Sequence, residues 1–294
     1  MVFCLFIFYV LRKLGSTSNE WGIKPILMHS SQLMKPRPRM RFLFGCFVLF
    51  QFLGDVSAQT VHQVGVGSAV QVFGERDRAF SPLIYQGQRS FFVVDYTAET
   101  ETMMLFTALG YGHGSAVSRG GNSLELWTGG AQCQVYYRDR RVRFWQFGWA
   151  VHAEFNKRQH GEFVNFGERT DFSITLGPSV RYLLPFRIVN RRFEWDSRVQ
   201  FMVVGAKVGS DYIASEPRRL KSNDRASVRD VLGAIDPFYL GNDFRIGWES
   251  GVFFPVSVGS SLGVRYVADW QQLSVSHDLQ RARGDYSLVF RVQL

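Results

Sequence analysis

The stretch WQFGWAVHAEF, residues 145–155, separates into two rows. Its odd positions are Trp145, Phe147, Trp149, Val151, Ala153 and Phe155; its even positions are Gln146, Gly148, Ala150, His152 and Glu154. A period of two is the signature of a β-strand, because successive side chains point to opposite faces. The pattern outlasts the roughly 5–6 residues of an ordinary globular strand. It suits the about 9–11 residues with which a tilted strand crosses hydrocarbon. Residues 172–184 repeat it, with Phe172, Ile174, Leu176, Val180, Tyr182 and Leu184 alternating with Ser173, Thr175, Gly177, Ser179 and Arg181.

Working outward, the same period predicts ten strands at 61–73, 88–98, 102–112, 123–137, 142–156, 169–184, 193–207, 241–254, 260–275 and 284–294. The third is the weakest pattern, being apolar on both rows from Met103 to Gly112. Short gaps at 99–101, 138–141, 185–192 and 255–259 alternate with mostly longer ones at 74–87, 113–122, 157–168, 208–240 and 276–283. Outer-membrane barrels pair short periplasmic turns with longer extracellular loops. An even strand number then leaves both termini on the short-turn side. No dinucleotide, phosphate-loop or zinc-ligand spacing interrupts the pattern, so no cofactor and no metal are expected.

The chain has 294 residues with 27 Phe and a mean hydropathy of -0.07. That average does not exclude a membrane barrel, whose two rows cancel. A helical membrane protein is excluded, since the longest apolar run, Met1 to Leu11, is far short of the about 20 residues a spanning helix needs. Residues 34–58 have the parts of a cleaved secretory signal. Lys35, Arg37, Arg39 and Arg41 precede an apolar run from Phe42 to Leu53, and Val56-Ser57-Ala58 puts small side chains before a cut between Ala58 and Gln59. Leu43-Phe44-Gly45-Cys46 resembles a lipobox but lies too close to Arg41 to follow an apolar run. Residues 1–33 read as a misassigned start or a disordered leader, and 59–294 as the barrel. Residues 1–58 carry seven Lys and Arg against two Asp and Glu, so the chain's net +9 falls to +4 in the mature part. That removes the case for nucleic-acid binding. Only Cys133 then remains, so no internal disulfide forms.

Two features favour a membrane barrel over a soluble one. Gly65, Gly67, Gly130, Gly148, Gly177, Gly247, Gly251 and Gly263 lie on the polar row, with Gly129 and Gly205 as exceptions; space is tightest inside a small barrel. Arg also outnumbers Lys heavily beyond residue 58, where the only lysines are Lys157, Lys207 and Lys221; Arg is the better partner for desolvated carboxylates. The fold class is therefore all-β, a single up-and-down antiparallel transmembrane barrel. At the C-terminus Tyr286, Leu288, Phe290, Val292 and Leu294 alternate with Ser287, Val289, Arg291 and Gln293. This resembles the C-terminal strand signal of small bacterial outer-membrane barrels, although Leu294 stands where that family usually has an aromatic. The resemblance implies the outer membrane of a Gram-negative bacterium, surrounding lipid and lipopolysaccharide, and recognition by the barrel-assembly machinery.

On this facing the lumen collects Asp95, His152, Glu154, Arg181, Glu194, Asp196, Arg198, Gln200, Arg245, Glu249, Arg265, Asp269 and Arg291. Buried charges must be paired, so the leading expectation is a closed or very narrow lumen and a structural or partner-binding role. A narrow anion-favouring pore lined by Arg181, Arg198, Arg245, Arg265 and Arg291 is the alternative. A barrel enzyme is the third reading. Ten-stranded surface proteases of the omptin family place Asp and His at the outer rim, and here His113, His160, Glu162, Glu168 and His277-Asp278 fall in predicted outer loops, without an omptin-like motif. Lipid-modifying barrels use a membrane-facing Ser and His, for which His113-Gly114-Ser115 has the spacing. Loop 208–240, with five basic and five acidic residues, is the candidate docking site for a protein partner. Trp145, Trp149, Trp195, Trp248, Tyr266 and Trp270 lie on the apolar row as candidate membrane-facing aromatics.

Overall fold

Strands of this length bury their backbone groups only by pairing on both edges, which in a membrane means closing the sheet on itself. The computed structural model describes residues 60–77, 83–139, 141–142, 144–160, 168–209, 235–241, 243–275 and 277–294. The signal segment, its cleavage site at Ala58 and Gln59, Glu162 and most of loop 208–240 lie outside them. The segments are β1 (Val61–Asp77), β2 (Ile84–Glu99), β3 (Met103–Ser118), β4 (Ser123–Arg138), β5 (Trp145–His160), β6 (Glu168–Ile188), β7 (Arg191–Met202), β8 (Val204–Gly209), β9 (Asp236–Tyr239), β10 (Asp243–Ser257), β11 (Ser260–Val275) and β12 (His277–Gln293). β7 and β8 form one wall strand interrupted at Val203, and β9 and β10 form another interrupted between Tyr239 and Asp243. The result is a ten-stranded antiparallel wall, closed where β12 meets β1 and where β5 meets β6.

Register fixes the shape. Partners followed once round the wall from Trp145 run through Tyr182, Ser197, Ser250, Tyr266, Tyr286, Val70, Ser90, His113 and Trp127. They return to β5 at Lys157, twelve residues further on. Ten strands with that stagger imply a tilt of about 40° and a wall radius of about 10 Å. A ring at constant depth slips by about 1.2 residues from one strand to the next.

The two rows face as an inside-out protein requires. Val66, Phe92, Trp149, Val264, Tyr286 and Leu288 are each more than half exposed on the outside. Gln71, Glu154, Arg158, Arg245 and Gln271 on the inner row are 1% exposed. On β5 the outward apolar row runs from Trp145 to Phe155 and ends at Lys157 and Gln159. Ten steps of about 3.3 Å at that tilt span about 25 Å, the height of the apolar band of an outer-membrane barrel.

The structure corrects the sequence reading in three places. The strands continue past the apolar band: β3 reaches Ser118, β12 begins at His277, and the outer connections there shrink to 119–122 and to position 276. Residues 113–118 and 277–283 are therefore strand, not loop. The third segment is apolar on both rows because its inner row, Met104, Phe106 and Ala108, packs inside the barrel with Val93 and Tyr136. Gly205 is not an exception to the inward glycines. The register sum shifts by one residue between β6–β7 and β6–β8, a bulge that turns Gly205 and Lys207 inward. A Cβ at Gly205 would strike the Ile174 carbonyl oxygen.

Candidate functional site: a charge-paired lumen

Inward side chains from all parts of the wall meet in two ionic layers. In the outer layer Glu154 of β5 is met by Arg245 at 2.8 Å, Arg281 at 2.7 Å and Arg283 at 2.6 Å. Arg281 also reaches Glu75 at 3.1 Å, Arg158 reaches Glu75 at 2.6 Å and pairs with Asp171, and Arg245 reaches Asp269 at 2.8 Å. Four guanidiniums thus face four carboxylates. His152 is half-buried beside them, its Nδ1 2.8 Å from Arg245. Nearby, Lys207 holds Asp243 at 2.5 Å, and Arg89 donates to Thr128 and Gln71.

The inner layer lies towards the periplasmic turns. Asp196 accepts from Arg181 at 2.9 Å and Arg198 at 2.6 Å. Arg265 bridges Asp95 at 3.2 Å and Glu249 at 3.4 Å, and Arg291 lies 3.9 Å from Asp95. The apolar inner residues have a role here: the Arg198 guanidinium sits 3.9 Å above the Phe106 ring and that of Arg291 3.6 Å above Phe253. Stacking suits a planar, weakly hydrated cation in a dry lumen. Glu194 is half-buried at the same end and has no ion-pair partner among the described residues.

Between the layers the wall contributes small residues, Ala69, Ala108, Gly110 and Gly130, with Gln132, His152 and Gln200, around a cavity of about 90 Å³. Among the described residues no His, Cys, Asp and Glu group has the makings of a metal site.

The sequence reading missed Glu75, Arg158, Asp171, Arg281 and Arg283. Glu75, Arg158, Arg281 and Arg283 fall in segments read as loops, and Asp171 was left out of the inner row. Their signal was continued parity: Glu75 extends the row Gly67, Ala69, Gln71, Phe73, and Arg283 and Arg281 extend Ser287, Asp285. Outward, Trp145, Trp149, Trp195, Trp248 and Trp270 are 37–55% exposed, and Tyr266 is half-buried against Tyr286. With the slip of 1.2 residues per strand, Trp145 and Trp195 fall on the periplasmic ring beside Tyr182, and Trp270 falls on the outer ring with Trp127 and Phe155. Trp149, Trp248 and Tyr266 sit between the rings.

Of the three histidines read as loop residues, His277 begins β12, and His113 and His160 do not converge. His113 faces outward from β3, its ring stacked 4.9 Å from Trp127. His160 faces the lumen, 3% exposed and 2.9 Å from the Tyr85 hydroxyl.

No protein-family model matches the chain, and no curated protein matches it. Among solved structures it is similar to the translocator domain of autotransporter NalP from Neisseria meningitidis, at 9% identity over 87% of this chain and 96% of that one, with a TM-score of 0.42. Outer membrane protease OmpT from Escherichia coli gives 6% identity, 81% and 98% coverage and a TM-score of 0.47. Ail, the attachment invasion locus protein of Yersinia pestis, gives 6% identity, 78% and 98% coverage and 0.34. At this similarity no role passes from them to this chain. Its class rests on its own wall: a closed ten-stranded antiparallel barrel of the outer-membrane type, apolar outside and ionic within.

Proposed function

We propose that the chain is an outer-membrane barrel with a closed lumen, serving as a scaffold or docking protein of the Gram-negative cell envelope rather than as a conduit. The observation that carries this reading is the outer ionic layer, in which Arg158, Arg245, Arg281 and Arg283 are matched by Glu75, Glu154, Asp171 and Asp269. An anion-conducting path needs guanidiniums free to bind the passing ion. Of the five arginines of the pore alternative, Arg181, Arg198, Arg245 and Arg265 are each within 3.4 Å of a carboxylate, and Arg291 lies 3.9 Å from Asp95. The test is single-channel recording of the refolded mature protein in a planar bilayer. Silence at all voltages agrees with the proposal; discrete anion-selective openings overturn it.

A second reading has one specific support. His113 and Ser115 share the outward face at the outer edge of the apolar band, and Glu125 lies directly across from Ser115 on β4. A nucleophile, a base and a carboxylate at headgroup depth would suit hydrolysis of a lipid ester. Lipid A profiles of cells expressing the chain, with and without His113→Ala and Ser115→Ala, decide it: a product lost in both variants supports hydrolysis, and identical profiles refute it.

A further inference from the structure

We infer that the β6–β7 hairpin is a docking site on the periplasmic rim for an acidic segment of a soluble protein. The inference rests on the docking reading above and names the chemistry of the partner. Like charges directly opposite on neighbouring strands repel. Among the described side chains two arginine pairs stand so, both in the β6–β7 ladder and both on its inner row: Arg181 with Arg198, and Arg187 with Arg192. The first pair is bridged, since Asp196 accepts from Arg181 at 2.9 Å and from Arg198 at 2.6 Å. The second pair repeats the arrangement further along the same strands without a carboxylate. Asp196 precedes Arg198 by two positions, whereas the residue two before Arg192 is Asn190. Glu194, two residues up the same face, interacts with Asp196, Arg181 and Arg291 and forms no ion pair with the hairpin arginines. Arg76, Arg89, Arg119 and Arg141 also lack an ion pair among the described residues, but none of them faces a second arginine across a ladder.

Position and exposure select the partner. Corrected for the slip between strands, Arg187 and Arg192 lie about 8 Å beyond the ring of Trp145 and Trp195, where the headgroup layer ends. They continue the inner row and so project beneath the mouth of the barrel. The outward rings of Phe186 and Phe193, stacked 5.5 Å apart, stand between them and the leaflet, which puts lipid phosphate on the wrong side. A free anion would leave the apolar tips uncovered. Val189 at the hairpin tip is 92% exposed, and Val258 in the β10–β11 turn is fully exposed. The two connections adjoin through Phe193 and Phe254, whose rings are 6.2 Å apart. Val189 also holds a φ of 46°, which a β-branched residue rarely adopts. A polypeptide answers both needs. One carboxylate takes the two guanidiniums as Asp196 takes Arg181 and Arg198, in charge-assisted hydrogen bonds, and apolar side chains beside it cover the valines.

The test uses the mature chain in phosphatidylcholine nanodiscs, which leave both rims accessible, with heat-modifiable mobility confirming assembly first. A short fluorescent peptide of Asp, Glu and Leu should bind, as read by anisotropy, and should weaken as salt rises. Its counterpart with Asn and Gln in place of the acids should not bind. Arg187→Gln/Arg192→Gln should lower the affinity at least about tenfold, and Arg119→Gln, on the outer rim, should leave it unchanged. Arg192→Glu should abolish binding with assembly intact, because it sets a carboxylate opposite Arg187 as a favourable cross-strand pair; the loss is then not one of folding. Equal binding of the two peptides, or undiminished binding by Arg192→Glu, would overturn the site. Phosphatidylglycerol retained through purification by the parent and lost in Arg192→Glu would assign the arginines to lipid and overturn it as well. Anion-selective openings in a planar bilayer would strike the closed-lumen reading and leave the peptide result standing.

Discussion

Glu154→Gln is the sharpest probe of the lumen. Glu154 is 1% exposed and contacts Arg245, Arg281 and Arg283 at 2.6–2.8 Å. The substitution keeps its shape and leaves four buried guanidiniums facing only Glu75, Asp171 and Asp269. Removing one partner of a buried pair costs about 3–5 kcal/mol, because the other charge stays desolvated. Arg281 and Arg245 retain Glu75 and Asp269, which puts the expected loss near the lower end, about 3 kcal/mol. Glu99→Gln is the matched control: its pair with Arg138 is about one-third exposed, so it should cost no more than about 1 kcal/mol. Urea unfolding of the vesicle-embedded barrel, followed by tryptophan fluorescence, measures both. Adding Arg283→Gln to Glu154→Gln restores the charge balance and should recover part of the loss, with a coupling of at least about 1 kcal/mol. If Glu154→Gln and Glu99→Gln fall equally short of the parent, or the double variant is strictly additive, the paired-lumen reasoning fails.

Other expectations follow from the same geometry. Val199→Arg and Phe201→Arg put a charge on the outer row near the band's midplane, at about 2–4 kcal/mol each, and should block assembly as judged by heat-modifiable mobility; normal assembly of both would reverse the assigned facing. Phe253→Leu keeps an apolar side chain but removes the ring 3.6 Å from Arg291, and should lower the urea midpoint by the equivalent of about 1–2 kcal/mol. N-terminal sequencing of the exported protein should begin at Gln59, and any other start would count against the signal assigned to residues 34–58.

The sequence made the wall legible because a period of two is a strictly local signal. The ten strands and most of their facings can be read from residues two apart, and Trp145 to Phe155 alone gives the height of the band. What was not legible depends on residues far apart. Parity places Arg283 and Glu154 on one surface, but only closure brings them within 2.6 Å across 129 positions. The bulge at Val203 leaves no local mark, because Val203, Val204 and the small residues after them fit either face; only the buried Lys207–Asp243 pair shows which face was chosen. The inner aromatics are illegible for a related reason. Composition does not explain Phe106 and Phe253 on the inner rows, and only the guanidiniums stacked on them show why a charged lumen needs them.

The closed lumen proposed here would follow from the register as much as from composition. Ten strands staggered by twelve give a wall radius of about 10 Å, small enough for long side chains from opposite walls to meet. They do: Arg283 of β12 reaches Glu154 of β5, five strands away, and Arg198 of β7 lies over Phe106 of β3, four strands away. Such pairs brace the barrel across its diameter, so removing one weakens the wall as well as the plug. On the proposed reading, a pore on this register would need the long residues of both layers replaced by short ones. The cavity between them shows what that would look like, for there the wall turns to Ala69, Ala108, Gly110 and Gly130 and space opens at once.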